Sequence, residues 1–158
     1  MNFEQVNTLC MSDDAYPWMP FSPHNDAVQV KYFRADPVRG EVLASFRLPA
    51  GELLPLHHHT GTITIFTVQG RWRFLEHDWV ATPGSVVFAP ASLRHTPQAL
   101  PEAQNEVRVF CAIVGELHFL DSQGNALAVE NWKTAVNRYL AHCKVHGIAP
   151  KDITSFET

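Results

Sequence analysis

From Val28 to Val114 the chain meets a turn rich in glycine or proline about every ten residues, and this rhythm restricts it to short strands. Residues 28–33, 42–48, 63–68, 71–75, 85–88 and 106–114 read as those strands. The punctuation between them includes Asp36-Pro37 and Gly40, Pro49-Ala50-Gly51, Gln69-Gly70 and Thr82-Pro83-Gly84. In the last strand Val107, Val109, Cys111 and Ile113 alternate with Glu106 and Arg108, as a half-buried strand requires. With 158 residues the chain suits one domain, residues 1–158, and the expected fold class is all-β, a sandwich or barrel occupying residues 28–120.

Both ends depart from this pattern. Tyr16, Pro17, Trp18, Met19, Pro20, Phe21, Ser22 and Pro23 cannot form a helix interior, so residues 1–27 read as an extended arm. Its Trp18 and Phe21 would lie on the flank of the domain or on a second subunit. After residue 130 the period changes: Trp132, Ala135, Val136, Tyr139, Leu140 and Cys143 make one apolar stripe of a helix over 130–146, closed by Gly147 and Pro150. That helix is expected to pack on the outside of the β domain.

Composition narrows the partners. Twelve Lys+Arg against sixteen Asp+Glu give a net charge of −4, and no basic stripe could follow a phosphate backbone, so no nucleic acid is expected. The longest uncharged apolar stretch, residues 85–93, is half of the roughly 18 residues that span a bilayer, so no membrane partner is expected. No basic, apolar leader opens the chain, and Cys10, Cys111 and Cys143 match neither a disulfide framework nor a paired metal motif. The expectation is a cytoplasmic protein with three reduced thiols.

Chemistry concentrates in the histidines. Five of nine fall from His57 to His95: the run His57-His58-His59, then His77 and His95. On a strand His57 and His59 share a face while His58 points oppositely, so two imidazoles can grip one ion. His95 would supply a third donor when the chain returns after two turns. Neutral imidazole suits zinc, iron, nickel and copper. His24, His77, His118, His142 and His146 are read as structural or exposed.

These residues resemble the two cupin motifs. Gly51, His57, His59 and Gly70 match the first, and Gly84, Pro90 and His95 match the second, with Ser92 where its second glycine usually stands. The resemblance implies a double-stranded β-helix, the jelly-roll barrel, with one metal in its mouth. One departure is plain: the carboxylate of the first motif falls at Ile63 or Thr64, leaving three neutral histidines. This pattern, with residues 117–125 and Glu130-Asn131-Trp132, looks like the acetylacetone-cleaving and 2,4'-dihydroxyacetophenone dioxygenases.

That similarity implies Fe(II), with zinc, nickel, manganese and copper as the other ions the donors accept. It implies dioxygen and a small β-diketone or hydroxyketone whose carbon-carbon bond is cleaved. If Thr64 faces inward as the missing carboxylate would, Phe66 and Val68 share its face, and Phe74 and Phe88 complete an aromatic substrate pocket. Thr64 is then the hydroxyl closest to the reaction. Two alternatives stand beside this reading. One is a non-enzymatic zinc-binding sensor module. The other is an O2-independent isomerase or lyase, which would want a carboxylate or lysine in the mouth; Glu76 and Asp78, in a turn, are the nearest acids. A homodimer or larger even assembly, paired through an edge strand, is also expected.

Overall fold

The computed structural model describes residues 7–102 and 105–155, so the first six residues of the expected arm lie outside the described residues. Twelve strands are followed by one helix: β1 (Met19–Phe21), β2 (Asn25–Asp36), β3 (Glu41–Leu48), β4 (His57–His59), β5 (Ile63–Gln69), β6 (Trp72–Phe74), β7 (Val86–Ala89), β8 (Arg94–His95), β9 (Pro97–Ala99), β10 (Val107–Val114), β11 (Leu117–Leu120), β12 (Ala126–Glu130) and α1 (Trp132–His146). All pairings are antiparallel. The strands form a six-stranded sheet in the order β1-β2-β3-β10-β5-β7, a four-stranded sheet β12-β11-β4-β8, and the ribbon β6-β9. The inner faces of the sheets meet around one cavity, lined by Phe46, Ile65 and Cys111 from the first and by His57, His59 and Leu117 from the second. This is the jelly roll expected of the motifs.

The arm is more regular than its prolines suggest. Met19 and Phe21 are buried in β1, which pairs with β2. Trp18 lies against the protein's own sheet, with the Lys31 ammonium and the Arg47 guanidinium each 4.7 Å from its ring centroid and Arg108 at 5.3 Å. Asp13 holds the same cations, accepting from Lys31 and Arg108. Strand β12 occupies residues just past the expected limit of the barrel and pairs with β11.

The helix begins at Trp132, the first residue of the apolar stripe and two residues after the expected start at 130, because Asn131 is its N-cap. The Asn131 side chain accepts from the amides of Lys133 and Thr134, and the Thr134 hydroxyl accepts in return from the Asn131 amide. Gly147 closes it in the left-handed conformation at φ 64°. Ala135, Tyr139 and Cys143 are buried against the barrel, while Leu140 is 45% exposed at the margin of the stripe. No helix among the described residues is long and apolar enough to cross a membrane.

A buried ionic cluster locks arm, barrel and helix together. Glu130 accepts from His24 at 2.7 Å, from Arg138 at 2.5 and 2.9 Å, and from the Thr134 hydroxyl at 2.6 Å. Arg138 also donates to the Tyr32 hydroxyl and to the carbonyl of Ser22. Burial works to raise the Glu130 carboxyl, but the hydrogen bonds from His24, Arg138 and Thr134 overcome it and bring the pKa down to about 2. Removing one partner of such a pair strands the other charge in a poorly solvated place. Glu130→Ala should therefore cost about 3–5 kcal/mol of unfolding free energy in a guanidinium titration; a loss below about 1 kcal/mol would show that water replaces the carboxylate.

Candidate metal centre

Strand β4 is three residues long, yet both its edges are paired, and this pins the histidines. Leu117 and Phe119 of β11 stand opposite His59 and His57, while His95 of β8 stands opposite His57 on the other side. The His59 carbonyl accepts from the Ser92 amide at 2.7 Å, and the His59 amide donates to the Leu93 carbonyl. Holding that bond requires a left-handed backbone at Ser92, φ 69°, the conformation that suits the glycine usual at this motif position. Gly70 is bound more tightly: at φ 81° a Cβ there would stand 2.8 Å from the Glu106 carbonyl oxygen and the Val107 Cα.

His57, His59 and His95 are each at most 3% exposed, while His58 points to the other side of the strand near His118. The ring centroids of His57 and His59 are 4.8 Å apart, and those of His59 and His95 5.7 Å. His57 donates Nδ1–H to the Pro55 carbonyl at 2.9 Å, which leaves the lone pair on its Nε2. His59 Nδ1 and both ring nitrogens of His95 are buried with no hydrogen-bond partner. Buried polar groups in native proteins rarely stand so, which makes these nitrogens a donor set awaiting an acceptor.

The set fits a divalent ion in chemistry, though its members are not all turned to one point. Among the described residues no group of three or more His, Cys, Asp or Glu side chains stands ready to enclose an ion. His57 and His59 line the barrel cavity, about 50 Å³, whereas His95 borders an outer chamber of about 380 Å³. Phe74 is the wall between them, lining both spaces and lying flat on His95 at 4.2 Å.

Two of the three imidazoles are pushed far down. Burial, with smaller repulsion from neighbouring histidines, takes His57 to about 4 and His59 to about 3; His95 is lowered by burial, against the opposing pull of the Glu76 carboxylate. Glu76 accepts from the Thr96 amide and hydroxyl at 2.9 and 2.7 Å. Burial would raise its carboxyl, but those bonds hold it below its ordinary value. Arg94 and Thr96 flank His95; Glu76 thereby braces the strand carrying His95.

The pocket reading of β5 requires correction. Ile63, Ile65 and Thr67 face the interior, and Thr64, Phe66 and Val68 face outward, with Phe66 43% and Val68 46% exposed. Phe88, paired with Thr64, is 63% exposed and borders the outer chamber instead of the barrel cavity. Phe74 alone of the expected aromatic residues lines the cavity. Sequence reasoning missed Phe46, Leu54, Ile63, Trp72 and Gln98, which line it too. Trp72 is fixed by donating Nε1–H to the buried Thr67 hydroxyl at 2.8 Å. The alternation in β10, whose buried face includes Val109 and Cys111, could have set the correct phase, because those residues pair with Thr67 and Ile65.

A family model for the ChrR cupin-like domain matches residues 6–112, well over half of the chain. The chain belongs to that family. An RmlC-like cupin protein from Ralstonia eutropha JMP134 is similar over 99% of this chain and all of its own length, at 53% identity and a TM-score of 0.95. An acetylacetone dioxygenase from Acinetobacter johnsonii is 22% identical, with 85% of this chain and 91% of that one covered and a TM-score of 0.73. The anti-sigma factor ChrR of Rhodobacter sphaeroides, in complex with SigE, is 19% identical over 65% of this cupin and 50% of that chain, with a TM-score of 0.53. At such identities the last two likenesses concern the fold. A comparison with curated protein sequences finds no match.

The lowered imidazoles have a measurable consequence in the metal-free protein. Their ordinary value is 6.5, so between that pH and about 4 the unfolded chain binds more protons than the folded one, and stability rises with pH. Unfolding free energy should be level above pH 7 and fall below 6.5, by up to about 1.4 kcal/mol per pH unit for each imidazole. Chemical denaturation from pH 8 to pH 5 reads this; a flat profile would mean that the rings remain hydrated.

Proposed function

We propose that this cupin is a metal-dependent dioxygenase which holds Fe(II) on His57, His59 and His95 and cleaves a carbon-carbon bond of a small β-diketone or hydroxyketone. The observation that carries the reading is the set of buried, uncharged imidazoles with unpartnered nitrogens beside an apolar cavity. Ile63 stands inside the barrel near where a carboxylate ligand would be, and it adds no negative charge. Three neutral ligands leave a divalent ion its full charge and favour an anionic chelate such as an enolate. The ion, when bound, supplies Lewis acidity toward the ketone oxygens and a meeting point for dioxygen.

The residues of the barrel do the remaining work. His57 is oriented by its bond to Pro55, which keeps the proton off the nitrogen meant for the ion. Phe46, Leu54, Trp72 and Phe74 exclude water and leave a narrow space that suits a substrate of few atoms. Among the described residues no carboxylate or lysine lines the cavity, so proton carriage by such a group, which an O2-independent isomerase or lyase wants, has no support there. The name of the similar Acinetobacter protein supports the same chemistry.

Membership of the ChrR family favours a second reading, a zinc-binding module without catalysis. Anaerobic reconstitution separates the two. Fe(II)-loaded protein should consume dioxygen when given β-diketones or hydroxyacetophenones, and His95→Ala should lose both iron retention and turnover. Full iron loading with no oxygen uptake from any of these substrates would overturn the dioxygenase and leave the zinc module.

A further inference from the structure

The last two turns of α1 carry a histidine pair that the barrel does not use. His142 and His146 are four residues apart, so they stand one above the other on the same face of the helix. Their ring centroids are 4.2 Å apart, with 38° between the ring planes. His142 is partly exposed and His146 exposed, and among the described residues neither ring takes part in a hydrogen bond or an ion pair. Partial burial, with repulsion from His146, holds the His142 imidazole below its ordinary value and so keeps its lone pair available. The outward pair His58 and His118 is less free: its centroids are 5.9 Å apart, and His118 Nε2 is bonded to the Glu116 carboxylate at 2.9 Å.

We propose that His142 and His146 form a second metal site, on the surface of α1, which chelates one divalent ion of the nickel, copper and zinc group. The site stands apart from the reading of the barrel and shares no residue with it. Bonds of about 2.0–2.1 Å to imidazole bring two nitrogens on one ion to roughly 3 Å from each other. Rings already in contact on adjacent turns reach that separation by side-chain rotation alone. Two histidines at this spacing on one helical face are also how zinc is held in His-x-x-x-His metalloenzyme helices. Charge favours the same place, because Gly147 ends the helix directly after His146 and an ion there meets the negative end of the helix dipole. The nearby cations are turned away or engaged. Lys144 projects about 200° round the helix from either histidine, the Arg138 guanidinium is held by Glu130, and the Lys151 ammonium lies over the Tyr16 ring. Cys143, between the two histidines in sequence, is buried on the barrel face and offers no thiolate. With imidazoles as its protein donors the site suits nickel, copper and zinc and rejects magnesium and calcium, which want oxygen. Fe(II) stands below nickel and copper in affinity for such donors, so the helix pair selects against the ion proposed for the barrel.

Calorimetric titration of the full chain with Ni(II) alone should reveal an ion that His142→Ala and His146→Ala each weaken by at least about tenfold, since either change leaves one donor where two were linked. His118→Ala should leave the titration as it is, and the barrel histidines are present in all four proteins. Nuclear magnetic resonance on the unaltered protein provides a check that no variant's folding can confuse. Paramagnetic Ni(II) should broaden the imidazole signals of His142 and His146 and the amides of the last turn of α1, Zn(II) should shift the same signals, and Mg(II) should do neither. Equal Ni(II) affinity and stoichiometry in the wild type and His146→Ala, or broadening that spares α1, would each overturn the proposal.

Discussion

Everything at the centre of this protein depends on keeping imidazoles out of water. A buried imidazole nitrogen with no partner is costly, and His59 and His95 hold three such nitrogens between them. The cost is partly met by the strand pairing that holds β4 on both edges, so the rings cannot swing out to find solvent. The same burial suppresses protonation and keeps the imidazoles neutral, the form in which they can act as donors. An ion accepting their lone pairs would therefore stabilise the fold as well as equip it for chemistry.

Support for the rings reaches outward through aromatic contacts to the ionic cluster. Phe119 packs on His57 at 5.1 Å, and His24 is stacked on Phe119 at 3.8 Å before it meets Glu130. Arg138 of the helix and Ser22 of the arm complete that cluster. The terminal segments, which carry none of the donors, thus press on the wall behind one of them. The arm and α1 are thus tied by side-chain contacts to the barrel wall behind His57.

How much of this the sequence revealed differed between identity and direction. The spacing of His57, His59 and His95, with Gly70, Gly84 and Pro90, was legible because metal ligands and positive-φ turns tolerate few residue types. The direction of β5 was not. Its two faces read Ile63, Ile65, Thr67 and Thr64, Phe66, Val68, and both are apolar enough to be a core. Period-two reasoning identifies the inner face only when the outer one is polar, and here the outer face is an exposed apolar surface. Likewise the arm's prolines correctly excluded a helix, but no local signal said that Met19 and Phe21 would join the sheet, since that pairing depends on residues of β2.

Ile63 draws these threads together. At this position a carboxylate would neutralise half the charge of a divalent ion and bring a hydrated group into the cavity. A branched aliphatic side chain does neither, and it meets Ala89 of β7 across the strands while lining the same cavity as His57 and His59. The ion's charge would then be left for the incoming ligand to balance, and the surrounding surface offers that ligand almost only carbon. With an ion bound, such a cavity would discriminate in favour of a compact molecule that is anionic at one edge and apolar elsewhere, because a neutral polar molecule would lose hydration without gaining a compensating charge.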